Sequence, residues 1–450
     1  MTPSAPRPRS ITGPLILVAI GLLFLVNNVW PDIFSISRIG DYWPFLLIGA
    51  GVIGLIEVLY HASRGVNPPP RVFYGAGIFW VLVLGLVLTN VGRGRNWHFG
   101  RFENPGVSIF GSDYEYDVNL TQSGRDVNRI VLDNLRGSLS LKGQDGGDVQ
   151  VTGRKSVRAF NQNDADRANQ QTQIHMDRQG DTLVIRADEF AGPHMIQVSA
   201  DLDITLPRGI SVESRGRNGD LTVDEIDGPV NVAAGRGDVR LNHIAKDVKI
   251  ESSRSGDVHV TDAKGAVELE GRGSDIQIEN IAGPVTINGE FGGTMEFRAI
   301  AKPLRFTSQR TEFHVEAVPG SIMLDLGDLD LQDVTGPVRF RTAVRDIKAT
   351  DVTGGLDLSV DRGDIQVTMT KTPLAKVDAH TRNGDIVVAV PEKSEFTIDA
   401  STARGDGLND FGDGVKQESS GPGATIRGRA GNGPAITIQT DRGSITLKKS

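Results

Sequence analysis

The chain has 450 residues, 54 of them glycine, with 6% aromatic residues and no cysteine. That composition excludes disulfides, thiolate metal sites and thiol catalysis, and it favours a turn-rich β architecture. The net charge of −8 is unevenly spread: residues 1–95 hold seven arginines against three acids, leaving 41 basic and 53 acidic residues in the remainder. An acidic half of that kind gains no counterion-release energy from DNA or RNA, so nucleic acid is not an expected partner.

In chain order, "ITGPLILVAIGLLFLVNNVW" (11–30) is almost free of charge and long enough to cross a hydrocarbon core of about 30 Å. Arg7 and Arg9 ahead of it would also suit a signal peptide, but no small-residue cleavage pattern follows and more apolar runs do. Residues 42–60 and 72–91 read as a second and a third span, with Trp43, Tyr60 and Tyr74 as interfacial anchors. Gly49, Gly51 and Gly54, like Gly75 and Gly77, offer small faces for close helix packing, and Glu57 reaches toward the headgroups. The flanking arginines are tied between the two sides. Because the first helix usually dominates, the expectation is a multi-pass bacterial inner-membrane region (1–95), with the remainder outside the cytoplasm.

Residues 96–126 read as a linker and 127–212 as a lead-in to a β domain, interrupted at 160–173 by a polar stretch that suits a short helix or loop. From 213 to 450 the chain repeats. Aligned on its Gly-Asp pairs, the acidic position falls at 220, 238, 257 and 275, lapses at Thr294, and returns at 312, 328, 346, 364 and 385. Apolar residues keep matched columns, so Leu221, Val223, Ile226, Val230 and Val232 correspond to Val239, Leu241, Ile244, Val248 and Ile250. Period-two alternation with glycine corners predicts two short strands per turn of about 18 residues. Such a unit cannot bury its apolar face alone, so successive turns stack into a β-solenoid.

Arg-Gly-Asp occurs three times, at Arg236, Arg362 and Arg404. In the first two it reads as a corner, with glycine supplying a positive backbone angle, aspartate bonding to turn amides and arginine replaceable. Arg404 falls in a glycine-rich stretch that reads as a more accessible loop. If the turns stack in register, Asp220, Asp238, Asp257 and Asp275, then Glu312, Asp328, Asp346 and Asp364, form files of like charge about 5 Å apart. A bound cation such as calcium could relieve that repulsion, although the glycine-dense nonapeptide of calcium-binding rolls is missing. No catalytic, cofactor or metal-histidine site is expected: acids such as Asp361 and Asp364 recur at every turn, and the eight histidines are scattered.

The segments 127–155, 198–223 and 435–449, with the Gly-Asp ladder, resemble the bacterial "putative adhesin" family of β-strand repeats, a domain of unknown function. The opening "RSITGPLILVAIGLLFLVNNVW" and "YWPFLLIGAGVIGL" are similar to the membrane region of LiaI- and LiaF-type envelope-stress proteins. These resemblances imply a cell-envelope location and a non-catalytic role, with membrane lipid and another envelope protein or a surface polymer as partners. Two alternatives stand beside that reading: a LiaF-like membrane regulator of the envelope-stress response, and a polysaccharide-active β-helix enzyme.

Overall fold

The computed structural model describes residues 111–450, apart from Asn134, Ala191, 193–195, Arg217, Ser255 and Asp413. The three expected spans, Glu57 and the small-residue faces at 49–54 and 75–77 lie outside the described residues, as do residues 96–110 of the expected linker. Among the described residues no helix is long and apolar enough to cross a membrane.

The regular repeat folds as the apolar columns dictate. Strands Leu221–Ile226, Val239–Ile244, Val258–Ala263, Ile276–Ile281 and Met295–Ile300 pair in parallel in a first sheet. Strands Val230–Ala234, Val248–Ser252, Val267–Gly273, Val285–Phe291 and Leu304–Thr307 do the same in a second. Register brings Val223, Leu241, Val260, Ile278 and Phe297 into one file, and Val232, Ile250, Leu269, Ile287 and Phe306 into another. Both files enter one shared core, each member at most 4% exposed. At about 1.5–3 kcal/mol for each aliphatic side chain buried, the stacking of rungs is what makes each rung stable.

The next segment differs from the expected ladder. "TEFHVEAVPGSIML" is not another forward turn: Thr311–Val315 pairs antiparallel with Leu304–Thr307, and Val318–Leu324 pairs antiparallel with Met295–Ile300. The chain thus runs back along its own path for one rung. A hairpin at Ser308 opens it, with the Ser308 hydroxyl accepting the Thr311 amide at 3.0 Å. A second closes it, where Asp325 Oδ1 accepts the amides of Gly327 and Asp328 at 2.8 and 2.7 Å. Forward rungs then resume at Asp328–Gln332 and Val338–Val344. The inward file passes through unbroken, from Phe306 to Phe313 to Phe340 in one sheet and from Phe297 to Ile322 to Leu331 in the other.

The ends also depart from simple succession. Ala435–Arg442 and Ile445–Lys449 insert between Lys376–Asn383 with Ile386–Val390 on one side and Phe396–Thr402 with Gly407–Asn409 on the other. At the other end the lead-in segment belongs to the same stack, since Leu139–Gln144 pairs in parallel with Leu221–Ile226 and Ser211–Arg215 with Val230–Ala234. Ser112–Ser123, inside the stretch read as a linker, is the edge strand of the first sheet, antiparallel to Asp148–Ala159. The polar interruption is a helix, α1 (Gln162–Gln171), capped by Asn161 through the Asp164 amide. Tyr116 ties it to the edge strand by donating to Asp166 at 2.6 Å, and the buried Lys155 amine donates to the carbonyls of Asn169 and Thr172.

Candidate interaction site: corner files and the reversed rung

The glycine corners stack directly. A Cβ placed on Gly237 would lie well under 3.0 Å from the Gly219 carbonyl, and one on Gly363 equally close to that of Arg345. Both positions have positive φ, 119° and 146°, so glycine is required twice over, by torsion and by space. This is the cause of the repeated tripeptide: its glycine is the contact between rungs, and Arg236 and Arg362 merely precede it, exposed. Arg404 proves to be a corner of the same kind. Gly405 stacks against Gly443, and Asp406 accepts the Ile445 amide through its carbonyl at 2.9 Å, so it is not the loose loop that the glycine-rich surroundings suggested.

The turn acids are brought together as files, with a different partner from the one expected. Asp220 Oδ1 accepts the backbone amide of Asp238 at 2.9 Å, Asp238 that of Asp257 at 3.0 Å, Asp257 that of Asp275 at 3.2 Å, and Asp275 that of Thr294 at 2.8 Å. Beyond the reversed rung the pattern restarts: Asp346 caps Asp364, Asp364 caps Asp385 and Asp385 caps Ser444. Each carboxylate therefore binds the next rung rather than its own turn. An N–H dipole at each of these seven carboxylates offsets the like-charge repulsion within the files. Glu312 is not in the file, because it lies on the reversed strand opposite Thr307 and Arg341. Asp328 stands beside Asp346 in register but caps nothing, since the Asp346 amide goes to the Gly327 carbonyl. The Asp257 amide, aided by Arg240, holds the Asp238 carboxyl below its ordinary range against the opposing effect of desolvation. Among the described residues no group of three or more His, Asp or Glu side chains is placed to hold a metal ion.

The opposite corner has its own file, which the sequence reading missed. Glu225, His243, Asp262, Asn280 and Ala299 all have φ near +50° to +60°, so five consecutive rungs turn through a left-handed residue that is not glycine. Side chains support one another there. His243 Nδ1 lies 2.9 Å from Asp224 Oδ1 and its Nε2 3.3 Å from Asp262 Oδ2. The hydrogen bond to Asp224 raises the imidazole above its usual value. A polar residue just before the last apolar residue of the first four of these strands, Glu225, His243, Asp262 and Asn280, was the available signal.

A cavity of about 700 Å³ sits beside Lys155, lined by Leu135, Ile174, Asp188, Phe190 and Val198. Arg136 and Glu189 also line it; Lys155 is engaged by helix-end carbonyls, and Asp188 by His175 at 2.8 Å and Arg186 at 3.1 Å. His175 is the chief cause that keeps Asp188 below its ordinary range.

Residues 115–448 match the sequence profile of Toastrack DUF4097, and residues 12–105 match the LiaF transmembrane domain. Three solved structures are similar at low identity. A "putative cell adhesion protein" from Clostridium sporogenes is 9% identical over 75% of this chain and 100% of its own, with a TM-score of 0.19. A "putative adhesin" from Parabacteroides distasonis is 11% identical over 76% and 98%, with a TM-score of 0.21. One from Bacteroides fragilis is 13% identical over 74% and 97%, with a TM-score of 0.20. No curated protein matches. With its profile match covering most of the chain and the stacked all-β architecture in place behind a LiaF transmembrane region, the chain belongs to the Toastrack DUF4097 family.

Proposed function

We propose that this is a membrane-anchored, non-catalytic scaffold of the bacterial cell envelope, whose β-solenoid presents its outer faces to another envelope component. The observation that carries the reading is the pairing of a LiaF transmembrane match at 12–105 with a stack whose repeated acids cap backbone amides. Carboxylates engaged in that way are poorly disposed to act as a general acid and base pair, which need free geometry toward a substrate. In this reading the chain crosses the membrane three times, at 11–30, 42–60 and 72–91, with the β domain outside the cytoplasm. Proximity labelling from the carboxy terminus in living cells reports both the side and the neighbours. Extracytoplasmic envelope proteins are the expected products; a cytoplasmic set, or turnover of a polysaccharide panel by the purified protein, would overturn the proposal.

A second reading is favoured by the same membrane match: a LiaF-like regulator whose spans contact a membrane kinase through Gly49, Gly51 and Gly54. Co-purification of a kinase that is lost when these three glycines become leucine supports it. Retention of the kinase in that variant removes it.

A further inference from the structure

The reversed rung gathers basic side chains on the outer face of the second sheet. By register, Arg305, His314 and Arg339 stand directly opposite one another on three neighbouring strands. Arg341 follows two residues along the same strand as Arg339, on the same face. Two guanidinium groups thus flank one imidazole across three strands, and an anion over the row would offset the repulsion between the two arginines. Elsewhere in the same register row the chain places acids, with Glu268 beside Lys249 on one side of the row and Asp357 and Asp378 on the other.

The row is also short of partners. Arg339 Nε has Asp357 at 3.2 Å, but among the described residues Arg305 and Arg341 form no ion pair, although Glu312 faces Arg341 in register. Four buried side-chain polar atoms in the described residues have no hydrogen-bond partner, and two of these are hydroxyls. Of the two nitrogens, His314 Nδ1 lies on the reversed strand in this row, and Arg345 Nη1 lies at the corner between Val338–Val344 and Asp346–Thr350. A buried ring nitrogen left without a hydrogen-bond partner costs free energy.

We propose that Arg305, His314 and Arg339 bind a phosphate group of an envelope polymer or lipid headgroup. Three donors spaced by the strand separation of about 4.8 Å can surround one tetrahedral oxyanion, whereas a planar carboxylate offers only two oxygens. The guanidinium forks suit phosphate oxygens, and Arg341 extends the row along the strand for a second group about 7 Å away. The site deepens the scaffold reading by naming what the face holds, and it rests on that reading.

The test uses the full-length chain in an uncharged detergent, titrated with tripolyphosphate by calorimetry. Binding is expected to weaken about tenfold or more in the double variant Arg305→Gln, Arg339→Gln and to be unchanged in Arg427→Gln, which lies on the same sheet but outside the row. Matched melting curves show that the variants are folded. Poly-glutamate is expected to bind at least about tenfold more weakly than tripolyphosphate. Competition by dihexanoyl-phosphatidylglycerol below its micelle concentration assigns the phosphate to a headgroup, and its failure to compete assigns it to a soluble polymer. No tripolyphosphate binding, equal affinity in the double variant, or equal affinity for poly-glutamate overturns the site. If that happens while labelling still returns envelope neighbours, the scaffold reading stands and only the phosphate site falls.

Discussion

Phe313 stacks on Phe306 with ring centroids 5.2 Å apart and planes 25° from parallel, although the two strands that carry them run in opposite directions. Phe340 continues the stack at 6.1 Å, and Phe297 meets Phe313 edge-on at 5.9 Å. Four rings thus fill the core where forward and reversed chain meet. Phe313→Ala should cost about 3–5 kcal/mol and Phe313→Leu considerably less, read from urea unfolding midpoints at constant slope. A loss below about 1 kcal/mol for alanine would mean that the reversed rung is not packed as described.

The tripeptide corners separate cleanly into glycine and arginine effects. Gly237→Ala forces a side chain into the Gly219 carbonyl at a φ of 119°, so a loss of at least about 1–3 kcal/mol is expected. Arg236→Ala, at an exposed position, should change stability by less than about 0.5 kcal/mol. Equal effects from the two substitutions would contradict the corner explanation.

The carboxylate ladder makes the domain acid-sensitive. Asp238 has a folded-state pKa held below its unfolded value, so its contribution is present above about pH 3.9 and is lost as the pH falls through the lower folded value. Asp238→Ala should cost roughly 1–2 kcal/mol at neutral pH, with the gap to wild type closing in acid. Thermal melts from pH 7 to pH 2.5 test it, and a gap that persists at the acid end would point to packing instead.

His243 acts in the opposite sense. Its pKa is raised above 6.5 by Asp224, so the stabilisation is complete below about pH 6.5 and disappears as the pH climbs through the folded value. His243→Gln should therefore be more damaging at pH 5.5 than at pH 8.5. Ring-proton titration by NMR should place the midpoint above the model-peptide value; a midpoint below it would break the assignment.

The forward rungs were legible in the sequence because two signals agree there: period-two apolar columns and a glycine that only a crowded corner requires. Direction was not. A rung walked backwards uses nearly the same number of residues and the same alternation, so Glu312 kept its place in a spacing count while pointing out of the file. What marked the reversal was loss of the Gly-Asp corner at Thr294 and two tight-turn sequences, Ser308 to Thr311 and Asp325 to Asp328. The turn acids were recognised as corner residues, but sequence proximity suggested their own turn as partner. Stacking brings the neighbouring rung's amide closer, and that is known only once the rungs are laid on one another.

The last strands, Ala435–Arg442 and Ile445–Lys449, occupy an inner slot of the stack rather than its tip. Ile445 meets Ile386 on one side and Gly407 on the other, so Phe396–Thr402 and Gly407–Asn409 are paired into the stack through strands that follow them in sequence. Without these two strands the stack would have a gap flanked by unsatisfied strand edges, exposed to pairing with other chains.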